Sequence, residues 1–138
     1  MKYATLEELN RRFGTRELQI LAPGDEPGGI DSDLIEAALN DAQAEIDSYI
    51  GQRYRVPLAS VPDVLVGVAC DLARFRLYST NPTEEVMNRY NQRIAFLRDV
   101  SSGKAGIPVE GNQQGSALAV GFTGGGVRSF TRETLKGF

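Results

Sequence analysis

The chain has 138 residues, of which 41% are hydrophobic and 24% charged, and this balance suits one domain with a buried core. It contains no histidine and a single cysteine, Cys70. These counts exclude histidine-based nucleophilic catalysis, imidazole metal sites, thiolate zinc sites and an internal disulfide. Cys70 is predicted to be a small buried hydrophobe. No catalytic, metal-binding or cofactor-binding residue is assigned.

The net charge of −3 is unevenly distributed. Residues 1–50 carry eleven acids and four bases, whereas residues 51–103 and residues 104–138 each have two bases in excess. A solvated helix surface is one explanation, and head-to-tail contact between identical subunits is the other. The first residues lack the basic start and apolar run of a signal peptide, which predicts a chain that begins in the cytoplasm.

Two short helices are predicted first. Thr5 and Glu8 have the spacing of a capping box, and Gly14 ends the first helix. Thr15 is the expected cap of a second segment, RELQIL, and a loop rich in proline and glycine follows over residues 23–29.

A long helix is predicted from a cap at residues 31–33 to Ile50. One face carries an apolar stripe that includes Leu39 and Ile46 and should meet the central helix. The opposite face carries a second stripe of small residues that would let another helix approach closely; the alternative is an ordinary solvent face. This stripe comprises Ala37, Asp41, Ala44 and Ser48.

A short extended linker follows, in which Arg53, Tyr54 and Arg55 precede Pro57. Alternating arginine and tyrosine can bind nucleic acid through phosphate contacts and stacking. The other interpretation packs Tyr54 under the helices and leaves the arginines in water.

The segment from Pro62 to Tyr78 is predicted to be a central helix, because it is apolar around most of its circumference. Such a helix must be enclosed by others. Asp71 interrupts the apolar surface, which argues against a membrane span. Asp71 and Arg74 have the spacing of an intrahelical ion pair.

The last helix is predicted to begin with Asn81 as its cap and Pro82 in its first position, and Gly103 is the expected left-handed stop. Its apolar stripe includes Tyr90 and Leu97. The arginines on its other side, Arg89, Arg93 and Arg98, are expected to be solvated.

Residues 104–138 are predicted to be an extended arm, because eight of the fifteen glycines fall in the final 33 residues. Residues 116–122 are a candidate strand of a short β-hairpin. Large apolar residues here are expected to anchor the arm on a partner, and the alternative is a strand pair folded back on the bundle. They are Leu118, Val120, Phe122, Phe130 and Leu135.

The predicted fold class is all-α, with four or five helices around residues 62–78. Residues 1–103 form the helical domain and residues 104–138 the arm. The predicted core consists of Leu39, Ile46, Leu65, Leu72, Phe75, Tyr90 and Leu97. The candidate interface comprises the small stripe, Arg53, Tyr54, Arg55 and the five apolar residues of the arm.

Five stretches together resemble the Mu-like phage family of small head-tail connector proteins. They are YATLEELNRRFG, IDSDLIEAALNDAQAEIDSYIGQRY, VACDLARFRLY, EVMNRYNQRIAFLRDVSSGK and FTRETLKGF. The resemblance covers nearly the entire chain in the same order.

The resemblance implies a virion structural protein of the phage neck, present in the host cytoplasm during assembly, with no enzyme activity and no cofactor. Its implied partners are the portal protein, a tail or tail-completion protein, and further copies of itself. These copies form a homo-oligomeric ring, expected to be twelve-fold in the virion and monomeric when isolated. DNA is expected only as the content of the channel, and no membrane is implied.

The alternative function is a small nucleic-acid-binding regulator that would use the linker and the arginines of the last helix. The sequence pI near 5.0 and the acidic first half argue against it, because duplex binding depends on clustered positive charge.

Overall fold

The structure, a computed structural model, describes residues 2–79 and 81–109, and within these ranges it contains five α-helices and no strand. The helix α4 packs against α1, α3 and α5, so the central position predicted for this segment and the all-α class are confirmed. None of these helices is long and apolar enough to cross a membrane. The helices are α1 (Leu6–Phe13), α2 (Thr15–Leu21), α3 (Ser32–Ile50), α4 (Asp63–Tyr78) and α5 (Glu84–Ser102).

Local capping groups set several of these boundaries as the sequence predicts. Thr5 Oγ1 accepts a hydrogen bond from the Glu8 backbone N–H at 3.3 Å. Asp31 Oδ1 accepts one from the Leu34 backbone N–H at 3.2 Å. Gly103 ends α5 with a φ of 91°, the left-handed conformation that favours glycine. These groups satisfy backbone donors and acceptors that the helices leave open.

Two predicted caps are wrong. The cap of α5 is Thr83, whose hydroxyl oxygen accepts from the Val86 backbone N–H at 3.2 Å, so Asn81 is not the cap and Pro82 precedes the helix instead of occupying its first position. At α2 the capping position is taken by Gly14, and Thr15 is already helical. At α5, Asn81 and Thr83 both suit a cap, and the path of the incoming chain decides between them; at α2, the helix begins one residue earlier than predicted, and Gly14 provides no side-chain cap.

The interior of the bundle is apolar. Five of the seven predicted core residues are between 0% and 3% exposed: Leu39, Ile46, Leu65, Leu72 and Leu97. They join one continuous cluster to which α1, α2, α3, α4 and α5 all contribute. Burial of this cluster is the main favourable contribution to folding.

The other two predicted core residues, Phe75 and Tyr90, lie at the edge of the interior and are only partly buried. Their rings stack with centroids 4.0 Å apart and an angle of 16° between the planes. The Tyr90 hydroxyl donates a hydrogen bond to Glu45 Oε2 at 2.9 Å. This polar group holds the stacked pair near the surface, so the two rings cover the interior rather than fill it.

The chain remains packed on the bundle after α5 ends. The Ile107 side chain is 4% exposed, and its backbone N–H donates to the Tyr54 hydroxyl oxygen at 3.2 Å. The boundary predicted at residues 103/104 therefore falls within a stretch that contacts the helices. The segments that follow α3 and α5 consequently lie at the same end of the bundle.

Candidate functional site

The four small residues predicted as an approach surface on α3 are all exposed: Ala37, Asp41, Ala44 and Ser48. The helix buries its other face in the bundle, as the two stripes predicted. A second helix could approach this surface because three of its four side chains are no larger than serine. The face is open to solvent.

The N-terminal half of this stripe borders a groove between α3 and the end of α4. The groove is lined by Leu21, Leu34, Ala37, Ala38, Asp41, Arg76, Leu77 and Ser79. Leu34 is 45% exposed, which is high for a large apolar side chain. The groove therefore combines an apolar surface with one carboxylate, that of Asp41, and one guanidinium, that of Arg76, which pairs with Glu45.

The three residues of the predicted linker motif, Arg53, Tyr54 and Arg55, differ in their exposure to solvent. The Tyr54 side chain is only 4% exposed, because its ring packs in the core and its hydroxyl reaches the Ile107 backbone. The structure thus removes Tyr54 from the candidate interface, and no stacking surface between two arginines exists there. Arg55 is exposed, while Arg53 is partly buried.

Arg53 crosses to the end of α5. A Cβ atom on Gly103 would overlap Nη1 of Arg53, which would have to shift, and the positive φ of Gly103 independently favours glycine. The guanidinium lies at the negative end of the α5 dipole, where a cation is favoured. Among residues 2–79 and 81–109, the buried Nε of Arg53 has no hydrogen-bond partner.

Asp71 is the buried acid of the central helix, with a side chain that is 4% exposed. Its Oδ2 accepts a hydrogen bond from Arg93 Nε on α5 at 2.7 Å, and Arg89 Nη1 lies 3.6 Å from Oδ1. The predicted pair with Arg74 is therefore wrong, and the solvation predicted for Arg89 and Arg93 holds only in part. Asp71 fixes α5 against α4 instead of stabilising its own helix.

Arg74 binds α2. Its Nε donates to Glu17 Oε2 at 2.6 Å and its Nη2 to Glu17 Oε1 at 3.0 Å, and the guanidinium lies 4.3 Å from the centre of the Phe13 ring. Burial tends to lower the pKa of Arg74, but the hydrogen bond and charge of Glu17 raise it overall. This two-pronged contact ties the short helices to the centre of the bundle.

Gly67 makes room for the arginines on this side of α4. A Cβ atom at Gly67 would lie 3.0 Å from Arg93 Nη2 and 3.7 Å from Arg12 Nη1. Sequence reasoning missed this cluster, although the position of Gly67 one turn before Asp71 on an otherwise apolar helix was a usable signal. The cluster also contains acids, because Glu85 lies near Arg89. Arg89 and Arg93 are thus paired with acids in this cluster.

The remaining titratable groups of interest are protonated inside the fold. Burial raises the pKa of the Cys70 thiol to about 11, which keeps it protonated near neutral pH. Burial and the hydrogen bond to Asp47 raise the pKa of the Tyr3 hydroxyl. In the part of the chain that the structure describes, no group of three or more potential ligands could hold a metal ion.

The five apolar residues predicted to anchor the arm lie outside the described residues. They are Leu118, Val120, Phe122, Phe130 and Leu135. Their assignment to a partner interface therefore stays a prediction.

Comparison with known proteins gives concordant matches. A family model described as "Bacteriophage Mu, Gp36" matches residues 3–122. The chain is 38% identical over 101 residues to the "Mu-like prophage FluMu protein gp36" of Haemophilus influenzae, covering 73% of this chain and 72% of that protein. It is 37% identical over 111 residues to "Gene product J" of Escherichia phage Mu, covering 80% and 79%. The ending FTRETLKGF lies beyond the family match.

Proposed function

The chain belongs to the Bacteriophage Mu Gp36 family, and on that premise we propose that it is a virion protein that connects the phage head to the tail. In this proposal it docks on the portal protein as a homo-oligomeric ring around the DNA channel. The other side of the ring contacts a tail or tail-completion protein. The role is assembly in the virion neck, after synthesis in the host cytoplasm, and it involves neither enzyme activity nor a cofactor.

The family match carries this proposal, because it spans residues 3–122 and so includes the whole helical bundle. The relatives come from phage Mu and from a Mu-like prophage, which supports a role in the phage life cycle. The connector role itself rests on the resemblance of the five stretches to small head-tail connectors. The exposed face of α3 and its groove agree with a protein that binds neighbours through helical surfaces.

A nucleic-acid-binding regulator is less well supported. It would need Tyr54 as a stacking residue, but the Tyr54 side chain is buried. It would also need the arginines of α5 as free cations, yet Arg93 binds the buried Asp71 and Arg89 lies close to Asp71 and Glu85. Because duplex binding draws much of its affinity from free clustered cations, the fold favours assembly over regulation.

Truncation tests the proposed role of the arm. A chain that ends at Val109 retains the buried Ile107, so we expect helical circular dichroism and a cooperative thermal transition. The truncated chain should not sediment with purified portal rings, whereas the full chain should. Binding to the portal rings would be lost because truncation removes Phe130, Leu135 and the other apolar residues proposed as anchors.

A full-length control distinguishes the effect of the apolar side chains from the effect of shortening the chain. Replacing Phe130 and Leu135 with serine keeps all 138 residues and should weaken portal binding in the same assay. Undiminished portal binding by the chain ending at Val109 would show that the arm has no such role. Loss of the cooperative transition on truncation would show that the arm serves folding.

A further inference from the structure

The two ends of the bundle carry opposite charge. One end, here called the acidic end, is formed by residues 22–34 around the start of α3 and by residues 79 and 81–85 before and at the start of α5. These segments contain six acids and neither lysine nor arginine. The Asp31 backbone N–H donates to the Ala22 carbonyl at 2.8 Å, which closes the first segment. A shared groove brings Leu34 and Ser79 together, so both segments lie at one end.

The opposite end, here called the basic end, is formed by residues 51–63 after α3 and residues 98–109 at and after the end of α5. Its cations are Arg53, Arg55, Arg98 and Lys104, and its acids are Asp63 and Asp99. The contact of Arg53 with Gly103 and the Tyr54–Ile107 hydrogen bond join the two segments. The 19 residues of α3 separate the two ends by about 28 Å.

Helix dipoles explain part of this separation. Acids in the first turns of α3 and α5, such as Asp33 and Glu84, interact favourably with the positive helix ends. The dipole effect falls off within about one turn, so it does not account for Asp25 and Glu26 in the loop before α3, or for Arg55 beyond its end.

Several of these charges are free to meet a partner. Four acids of the acidic end and three cations of the basic end are exposed, and within residues 2–79 and 81–109 their side chains take part in no ion pair or hydrogen bond. They are Asp25, Glu26, Asp33, Glu84, Arg55, Arg98 and Lys104. The acidic end also presents the exposed Leu34 side chain.

We propose that the basic end of one copy of this chain binds the acidic end of the next copy. The inference rests on the proposed function, because it names the subunit contact of the ring. A contact between two different surfaces of identical subunits is head-to-tail, and repetition of such a contact closes a ring when the rotation allows it. Attraction between the ends also orients the copies as they meet and selects this pairing over like-charged contacts.

Charge reversal in the full chain tests the pairing. One variant carries Arg55→Glu, Arg98→Glu and Lys104→Glu, and the other carries Asp25→Lys, Glu26→Lys and Asp33→Lys. In either variant alone, the substituted side chains of one copy carry the same sign of charge as the free side chains on the facing end of the next copy. As a result, the ends that should bind repel each other. Native mass spectrometry on portal rings should therefore show loss of the multi-subunit complex for each variant. An equimolar mixture should restore it, because the two variants can alternate with opposite charges at each contact.

The variant with all six substitutions is the matched control, because its net charge equals that of the parent while the ends are exchanged. It should assemble on portal rings by itself. Circular dichroism verifies that every variant is folded. Normal assembly of both single-end variants, or failure of the mixture and of the six-fold variant when all are folded, would overturn the end-to-end contact. Failure of the unmodified chain to assemble on portal rings would instead overturn the proposed function.

Discussion

Replacement of Leu72 by alanine is expected to lower the free energy of unfolding by about 2–5 kcal/mol. Leu72 is 0% exposed on α4, the helix that contacts α1, α3 and α5, so its removal leaves a cavity that several helices would have to collapse to fill. Urea denaturation followed by circular dichroism measures the change. Met87→Ala on α5, where the side chain is 44% exposed, is the control and should change stability by less than about 0.5 kcal/mol.

Equal midpoints for the parent and Leu72→Ala would contradict the central position of α4. A loss of similar size in Met87→Ala would mean that the exposed part of α5 is as important to stability as the buried interior. Either result would require a different account of how the helices pack.

Replacement of Arg93 by alanine is expected to cost about 3 kcal/mol, near the lower end for breaking a buried ion pair. The Asp71 carboxylate is 4% exposed and would lose the 2.7 Å hydrogen bond from Arg93 Nε, so a buried charge would remain poorly satisfied. Because Arg93 is 31% exposed and Arg89 stays nearby, the larger values seen for fully buried pairs are not expected.

Arg89→Ala is the matched control for Arg93→Ala. Arg89 lies 3.6 Å from Asp71 and is 49% exposed, so its removal should cost less than about 1 kcal/mol. The double variant Asp71→Ala with Arg93→Ala should be more stable than Arg93→Ala alone, because it leaves no buried charge. Equal stability of the Arg89→Ala and Arg93→Ala variants would contradict this assignment of the pair.

The helices themselves were predictable from local features. The apolar circumference of residues 62–78 identifies the central helix, and Gly103 marks the end of α5 because glycine adopts the left-handed conformation more easily than other residues. The choice between Asn81 and Thr83 as a cap was not predictable, because both residue types suit the position and only the path of the chain distinguishes them.

Contacts between residues that are distant in the sequence were also not predictable. Asp71 meets Arg93, 22 positions away, rather than Arg74 at helical spacing, because periodicity indicates which residues share a face but not which helix covers that face. Tyr54 is buried through its contact with Ile107, which belongs to the segment after α5. In both cases the partner is set by the packing of the whole bundle.

The candidate interface was predictable only in its general character. The acidic excess in residues 1–50 suggested head-to-tail contact, but the two charged ends became visible only once α3 separated them in space. The small stripe on α3 and the linker arginines were found from spacing. Which of these surfaces binds which neighbour depends on partners that a single chain does not contain.

Joining of separated heads and tails by the purified protein tests the proposed connector role most directly. Phage particles made without this gene product should accumulate as DNA-filled heads and free tails, visible by electron microscopy. Addition of the purified full-length chain should convert them into joined, infectious particles. The variant with all six charge reversals should also convert them, whereas a variant reversed at one end only should not. Heads and tails that join equally well without the protein, or that remain separate in its presence, would contradict the proposed role.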